Sequence, residues 1–275
     1  MPETTTASSM NAGRSAGARV LGGLGRGALL GLRHTAAAST LAWQVLLGLR
    51  DPRWYWRLTL SQALDMGVRS IPVVVIVAIL SGGVTSQQTG YQFTGSVPIW
   101  VIGSVVVASV LTELGPLVTA LVLVGRVGAR IGAELGTMVV TEQVDALQAV
   151  GRDPVVQLVV PRVLAGFLVF PPLVVLADAA GIFAGWLGAL LTLPITTTDF
   201  VYGARVYFHD FALWFGLIKA AVFGATVTFI GCYVGLRAQG GAEGVGRTTT
   251  TAVVSGTLAI MVWDLILVRL LKTFG

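Results

Sequence analysis

From Ser70 to Thr112 the chain carries no charged residue, a run of 43 positions. A helix crossing a bilayer needs about 20 apolar residues, so the run holds two crossings. The stretch TSQQTGYQFTGS (85–96) is polar and turn-like and divides them. The pattern predicts a first span at 66–84 and a second at 98–125. A charged, glycine-rich stretch (126–162) follows. Residues 163–193 are then apolar except for Asp178, 211–236 except for Lys219, and 251–271 form a last span containing Asp264. The segments 194–210 and 237–247 read as connecting loops. The expectation is an all-α membrane protein with five transmembrane helices.

The N-terminal part follows a different pattern. Residues 1–13 are small and polar and are expected to be a disordered tail. In 14–57, Arg19, Arg26 and Arg33 recur every seven positions, so a helix aligns them on one stripe. The apolar piece LAWQVLLGL (41–49) runs into Arg50 and then a Trp54-Tyr55-Trp56 cluster. Arginine beside tryptophan suits a membrane–water boundary. An amphipathic helix lying in the interface is therefore predicted here, ahead of a permeation domain at 58–275.

Composition narrows the class. Of 275 residues 55% are hydrophobic, and the 31 formal charges (18 basic, 13 acidic) are too few to cover a soluble domain of this size. Fourteen of the eighteen basic residues fall in 14–69, 126–162 and 237–247. Their segregation reads as loops on the cytoplasmic side and not as a nucleic-acid surface. With five spans the three blocks lie on one side, which places the N-terminus inside and the C-terminus outside. One cysteine and two distant histidines leave no metal or disulfide framework, and no bound cofactor is expected. No metalloprotease, nucleophile-elbow or phosphate-loop motif is present, so the chain is not expected to be an enzyme. Energy for active transport must come from an ion gradient or a separate ATPase.

The stretch 125–162 holds the candidate chemistry. Gly128, Gly132 and Gly136 are spaced by four and share a helix face that a neighbouring backbone can approach. Residues 141–151 read as a short cytoplasmic helix with Thr141 as its N-cap. Glu142 and Asp145 lie in its first turn, Val144, Leu147 and Val150 form an apolar strip, and Gly151 ends it. Such a helix suits docking into a groove on a soluble partner, or else lies on the membrane surface.

Charged groups inside spans are costly and must face protein, water or an interface. Glu113 precedes Pro116 by one turn, where a helix break held by tertiary hydrogen bonds is expected; contact with a lipid headgroup is the second reading. Asp178 and Lys219, on successive spans, are candidates for an ion pair. Asp264 is expected near the outer boundary.

The stretch 113–166 resembles the MlaE/YrbE family of ABC-transporter permeases, which serve MCE-type lipid transport systems. The resemblance rests on Glu113-Leu114-Gly115-Pro116, Gly125-Arg126-Val127-Gly128-Ala129, Ala133-Glu134-Leu135-Gly136-Thr137-Met138, Thr141-Glu142-Gln143-Val144-Asp145-Ala146-Leu147, Gly151, Asp153-Pro154 and Val160-Pro161-Arg162. It extends more loosely over 60–272. In the family's acidic coupling motif Glu142, Asp145 and Ala146 match, and Gln143 replaces a second acid.

The resemblance implies a transmembrane permease subunit in the cell (inner) membrane. It would pair with a second homologous permease chain. Glu142, Asp145, Ala146, Leu147 and Gly151 would meet ABC ATPase subunits that bind ATP and Mg. An MCE-domain assembly would pass lipid to or from it, with import of fatty acids, mycolic-type lipids or sterols expected. The arginine-rich, lysine-poor composition resembles the actinobacterial Mce systems, where two related permeases form a heterodimer. Two rival readings are a gradient-driven secondary transporter and a non-transporting anchor for an MCE assembly.

Overall fold

The structure, a computed structural model, describes residues 33, 35–50, 52–92, 97–208 and 210–271. The tail at 1–13 and the stripe positions Arg19 and Arg26 lie outside the described residues. Helix α1 (35–48) belongs to a separate compact unit that ends at Arg50, and it exposes Trp43, Leu46 and Leu47. The second unit holds every other element, and among its described residues there is no strand.

Helix α2 spans Pro52–Val68 and carries apolar residues on both its buried and its exposed faces. It buries Tyr55, Thr59 and Met66 and exposes Leu60, Leu64 and Val68. The domain boundary expected at 57/58 falls inside it, because the Trp-Tyr-Trp cluster and the following LTLSQALDMGV form one continuous helix.

Five helices are long and apolar enough to cross a membrane. They are α3 (Ile71–Gln92), α4 (Val101–Val140), α6 (Val155–Thr192), α8 (Asp210–Gly235) and α9 (Gly241–Leu271). Two short helices complete the unit: α5 (Gln143–Ala149) between α4 and α6, and α7 (Thr197–Tyr207) between α6 and α8. The long α6 packs against α2, α3 and α8; α8 packs in turn on α9 and α4, and α7 lies on the start of α4.

The ends of the helices differ from the sequence expectation, and the first span, expected from 66, starts at Ile71 because 66–68 belong to α2. Three helices run beyond their apolar stretch. Helix α3 continues through Thr85-Ser86-Gln87-Gln88 to Gln92, where a turn was expected from residue 85. Thr85 and Thr89 donate their hydroxyls to the carbonyls of Ser81 and Thr85, both at 2.7 Å, so polar residues remain satisfied within the helix. Helix α9 starts at Gly241, ten residues before the expected span, and its Thr248 and Thr249 hydroxyls bond the Val245 carbonyl in the same manner. Helix α4 passes through Gly125 and ends only at Val140.

Small residues set how closely the spans approach. Between α6 and α8 a Cβ on Gly224 would collide with the Gly166 carbonyl oxygen, and one on Gly166 would lie 2.6 Å from the Gly224 carbonyl oxygen. Both backbones therefore touch at one level, as expected for helices that associate by van der Waals contact in lipid. Around the first turns of α4, Ile102, Val106, Val110, Ala189, Ile195 and Phe200 form a cluster joining α4, α6 and α7. The Ser104 hydroxyl fixes α7 there by donating to the Gly203 carbonyl at 2.7 Å.

Gly224→Ala is expected to destabilise the bundle by about 1–3 kcal/mol, the usual cost of overpacking. Gly83→Ala, where nothing lies within 4 Å of the added carbon, should leave stability unchanged or slightly raised. Thermal unfolding of the two variants in detergent checks the contrast; equal melting points would show that the α6–α8 contact is not limiting.

Candidate functional site

Pro116 decides the local geometry of α4. Proline has no N–H, so the carbonyl four residues earlier, that of Thr112, has no helical donor. The helix does not break at this point, contrary to the expectation. It takes a π turn at Val110–Leu114, in which the Gly115 N–H donates to the Val110 carbonyl, and it re-enters α geometry with Pro116 in the first turn of the next segment. The released Thr112 carbonyl accepts a hydrogen bond from Lys219 Nζ of α8 at 3.2 Å.

The same ammonium donates to Glu113 Oε2 at 2.8 Å and lies 2.5 Å from Asp264 Oδ1 of α9. The Asp264 contact is an ion pair without hydrogen-bond alignment. Lys219 is fully buried, and its Nζ stands 5.3 Å from the centre of the Phe215 ring. One cation thus ties together α4, α8 and α9. The pairing anticipated between Lys219 and Asp178 does not occur. Asp178 packs against the backbone of Gly115, where a Cβ would collide with Oδ1, and Oδ1 has no hydrogen-bond partner. Asp264, which the sequence did not connect to Lys219, is the acid that pairs with it.

A cavity of about 460 Å³ opens beside Glu113. Tyr207 of α7 and Phe211 and Phe215 of α8 form an aromatic wall, Ala108, Ala212 and Val268 complete the apolar surface, and Thr112 and Glu113 supply the polar groups. A large apolar pocket with a few convergent polar groups is suited to an amphiphile.

At the other end of α4, Gly128, Gly132 and Gly136 are buried. A Cβ at these positions would lie 3.4 Å from Val227 of α8, 3.2 Å from Ala252 and 3.0 Å from the Thr248 hydroxyl of α9, respectively. The glycine face therefore receives α8 and α9 of the same chain. Close by, buried Arg162 of α6 donates to Glu134 Oε1 at 2.8 Å and to the Leu158 carbonyl at 2.7 Å.

The short helix α5 stands between α4 and α6 and has no buried residue. It is narrower than the 141–151 expected. Glu142 occupies the N-cap position in left-handed backbone geometry (φ 60°). Thr141 does not cap α5; it is the C-cap of α4, and its hydroxyl donates back to the Thr137 carbonyl at 2.8 Å. At the other end Gly151 has φ 75°; its N–H donates to the Gln148 carbonyl at 2.9 Å, and the Arg152 N–H donates to the Leu147 carbonyl at 3.0 Å. This pair of bonds is a Schellman cap, which accounts for the glycine. Asp145, Ala146 and Val150 are exposed, and Leu147 is partly so. Gln143, Ala146, Leu147, Val150 and Arg152 line an open concavity.

Residues 59–270 match the family model described as Permease MlaE. The chain belongs to the MlaE permease family. Its relatives in this family include a probable ABC transporter permease protein of Rickettsia typhi, 39% identical over 220 residues, covering 80% of this chain and 85% of the relative. A protein of the same description from Synechocystis sp. is 38% identical over 233 residues, covering 85% and 89%. The chloroplastic protein TRIGALACTOSYLDIACYLGLYCEROL 1 of Arabidopsis thaliana is 34% identical over 227 residues, covering 82% and 65%. This MlaE-family chain is thus a multi-pass transmembrane permease, a transport subunit and not an enzyme, of the kind that works with ATPase partners.

Removing one partner of a buried ion pair leaves a charge uncompensated, at a cost of about 3–5 kcal/mol. Lys219→Met is therefore expected to lower the melting point of the permease sharply. Adding Glu113→Gln and Asp264→Asn to that variant should recover most of the loss. Unfolding of the single and triple variants in detergent checks this, and a single variant as stable as the parent would refute the linkage.

Proposed function

We propose that this permease moves a lipid across the cell (inner) membrane as one of two paired permease subunits of an MCE-type transporter. Fatty acids, mycolic-type lipids or sterols are the cargo classes, and import is the direction. The observation that carries the lipid reading is the aromatic-walled cavity beside Glu113, which offers a long apolar surface and one acidic corner. The Arabidopsis relative, whose name contains a diacylglycerol glycolipid, supports the same class. A sibling permease fits the partner role, and an MCE assembly outside would exchange the cargo.

Force would enter at α5. ATP and Mg bind on the partner ATPase, and Glu142 and Asp145 present carboxylates to its groove while Leu147 and Val150 supply apolar contact. Both neighbours of α5 carry the displacement toward the membrane. On the α4 side a π turn at Val124–Gly128 and the turn at Val110–Leu114 lie in the path, and on the α6 side another lies at Val155–Val159. Such turns carry one extra residue and serve as bending points. Since α4 also carries Thr112 and Glu113, tilting it changes the cavity wall directly. The arginines at 126, 130, 152, 237 and 247 support a cytoplasmic location for this end, with the N-terminus inside and the C-terminus outside.

Asp145→Lys should leave the permease inserted and assembled in the membrane but abolish lipid-stimulated ATP hydrolysis in the reconstituted complex. Unchanged stimulation would remove α5 from the coupling role, and stimulation by a proton gradient alone would favour a secondary transporter.

A further inference from the structure

Where α2 meets α4, a small recess is lined by Gln62, Asp65, Arg69, Ser70, Arg126 and Arg130, among others. We infer that this recess binds the phosphate of an anionic ligand, at a site separate from the cavity beside Glu113.

The charge count is uneven. Asp65 is shared between two guanidinium groups: Arg69 Nε lies 2.8 Å from Oδ1, and Arg130 contacts Oδ2. Glu134, also on the lining, is engaged by Arg162. Arg126 is exposed and has no ion pair among the described residues. Each of Arg69 and Arg130 uses one nitrogen on Asp65, and a guanidinium has five N–H donors. The recess therefore keeps positive charge and spare forked donors, the combination that recognises phosphate oxygens.

A second observation points the same way. Ser70 is 1% exposed, and its hydroxyl has no hydrogen-bond partner although it lines the recess. A buried hydroxyl without a partner is costly, and an acceptor oxygen at the recess would satisfy it. The free volume is about 20 Å³, which admits an oxygen or two and no acyl chain.

The site sits at a bending point. Arg126 lies in the π turn Val124–Gly128, and Arg130 follows it by one turn. Thirteen residues of helix separate Arg126 from Glu113, about 20 Å at 1.5 Å per residue. A phosphate bridging α2 to this turn would tie α4 to α2 at the π turn. The phosphate can belong to a lipid headgroup or to a free anion.

The test uses the full chain reconstituted in phosphatidylcholine vesicles containing phosphatidylglycerol, with retained lipid measured by native mass spectrometry. Phosphatidylglycerol should be retained about tenfold over phosphatidylcholine, the size of one charge-assisted contact. Arg126→Gln breaks no ion pair among the described residues, so it should fold, and it should lose the preference; so should Arg69→Gln with Arg130→Gln. Arg247→Gln, an exposed arginine paired with Glu243 on α9, should keep it. Displacement of the lipid by millimolar inorganic phosphate would identify the free anion as a ligand, and resistance to it would identify the headgroup. Absence of any preference, its persistence in Arg126→Gln, or an equal loss in Arg247→Gln would overturn the proposal.

Discussion

The Lys219 ammonium is the interaction on which the arrangement of the bundle depends. An ammonium buried within a membrane span is stable only when its surroundings replace water. Here they do so from two other helices: the Thr112 carbonyl and Glu113 carboxyl group of α4, and the Asp264 carboxyl group of α9. None of these groups is available unless α4, α8 and α9 hold one register. The apolar packing around them, which tolerates sliding, cannot impose that register alone. The pairing thus supplies specificity where lipid-facing Leu and Val surfaces cannot.

Pro116 links this polar cluster to backbone geometry. Its missing N–H frees a carbonyl within the membrane, which requires an outside donor. Lys219 is that donor, and the π turn places Glu113 beside it. The same irregular turn borders the cavity, so Thr112 and Glu113 line it from the part of α4 whose hydrogen bonding is least regular. The glycine face at 128, 132 and 136 works in the opposite sense. It lets α8 and α9 approach α4 closely between Gly128 and Gly136.

Hydropathy made the five spans readable, since an uninterrupted apolar run of such length fits little besides a bilayer. Their ends were not readable, and the reason lies in particular residues. Thr85, Thr89, Thr248 and Thr249 look like turn formers or caps, but each returns its hydroxyl to a carbonyl of its own helix and lets the helix continue. The segment at 194–210, read as a loop, contains α7 because Thr196 and Asp199 form a reciprocal capping box. In the site, Asp178 and Lys219 attracted a pairing by being charged and on successive spans. Depth along a helix, which one sequence does not provide, assigns Lys219 to Glu113 and Asp264 instead. One signal was present. A proline within a span leaves the carbonyl four residues earlier in need of a donor, and Lys219 stood deep within an apolar run, away from the basic residues at the span ends.

Two kinds of charge occur along α4. At Glu113 the Lys219 ammonium is fully buried between α4, α8 and α9, so any tilt of α4 must carry or break the contacts to it. Near Arg126 and Arg130 the charges are open to solvent and headgroups, where an ion pair such as Arg69–Asp65 is weak and exchangeable. The Lys219 contacts thus constrain α4 at Thr112 and Glu113, next to the cavity, and the π turn at Val124–Gly128 separates that point from the close contacts of Gly132 and Gly136 with α9.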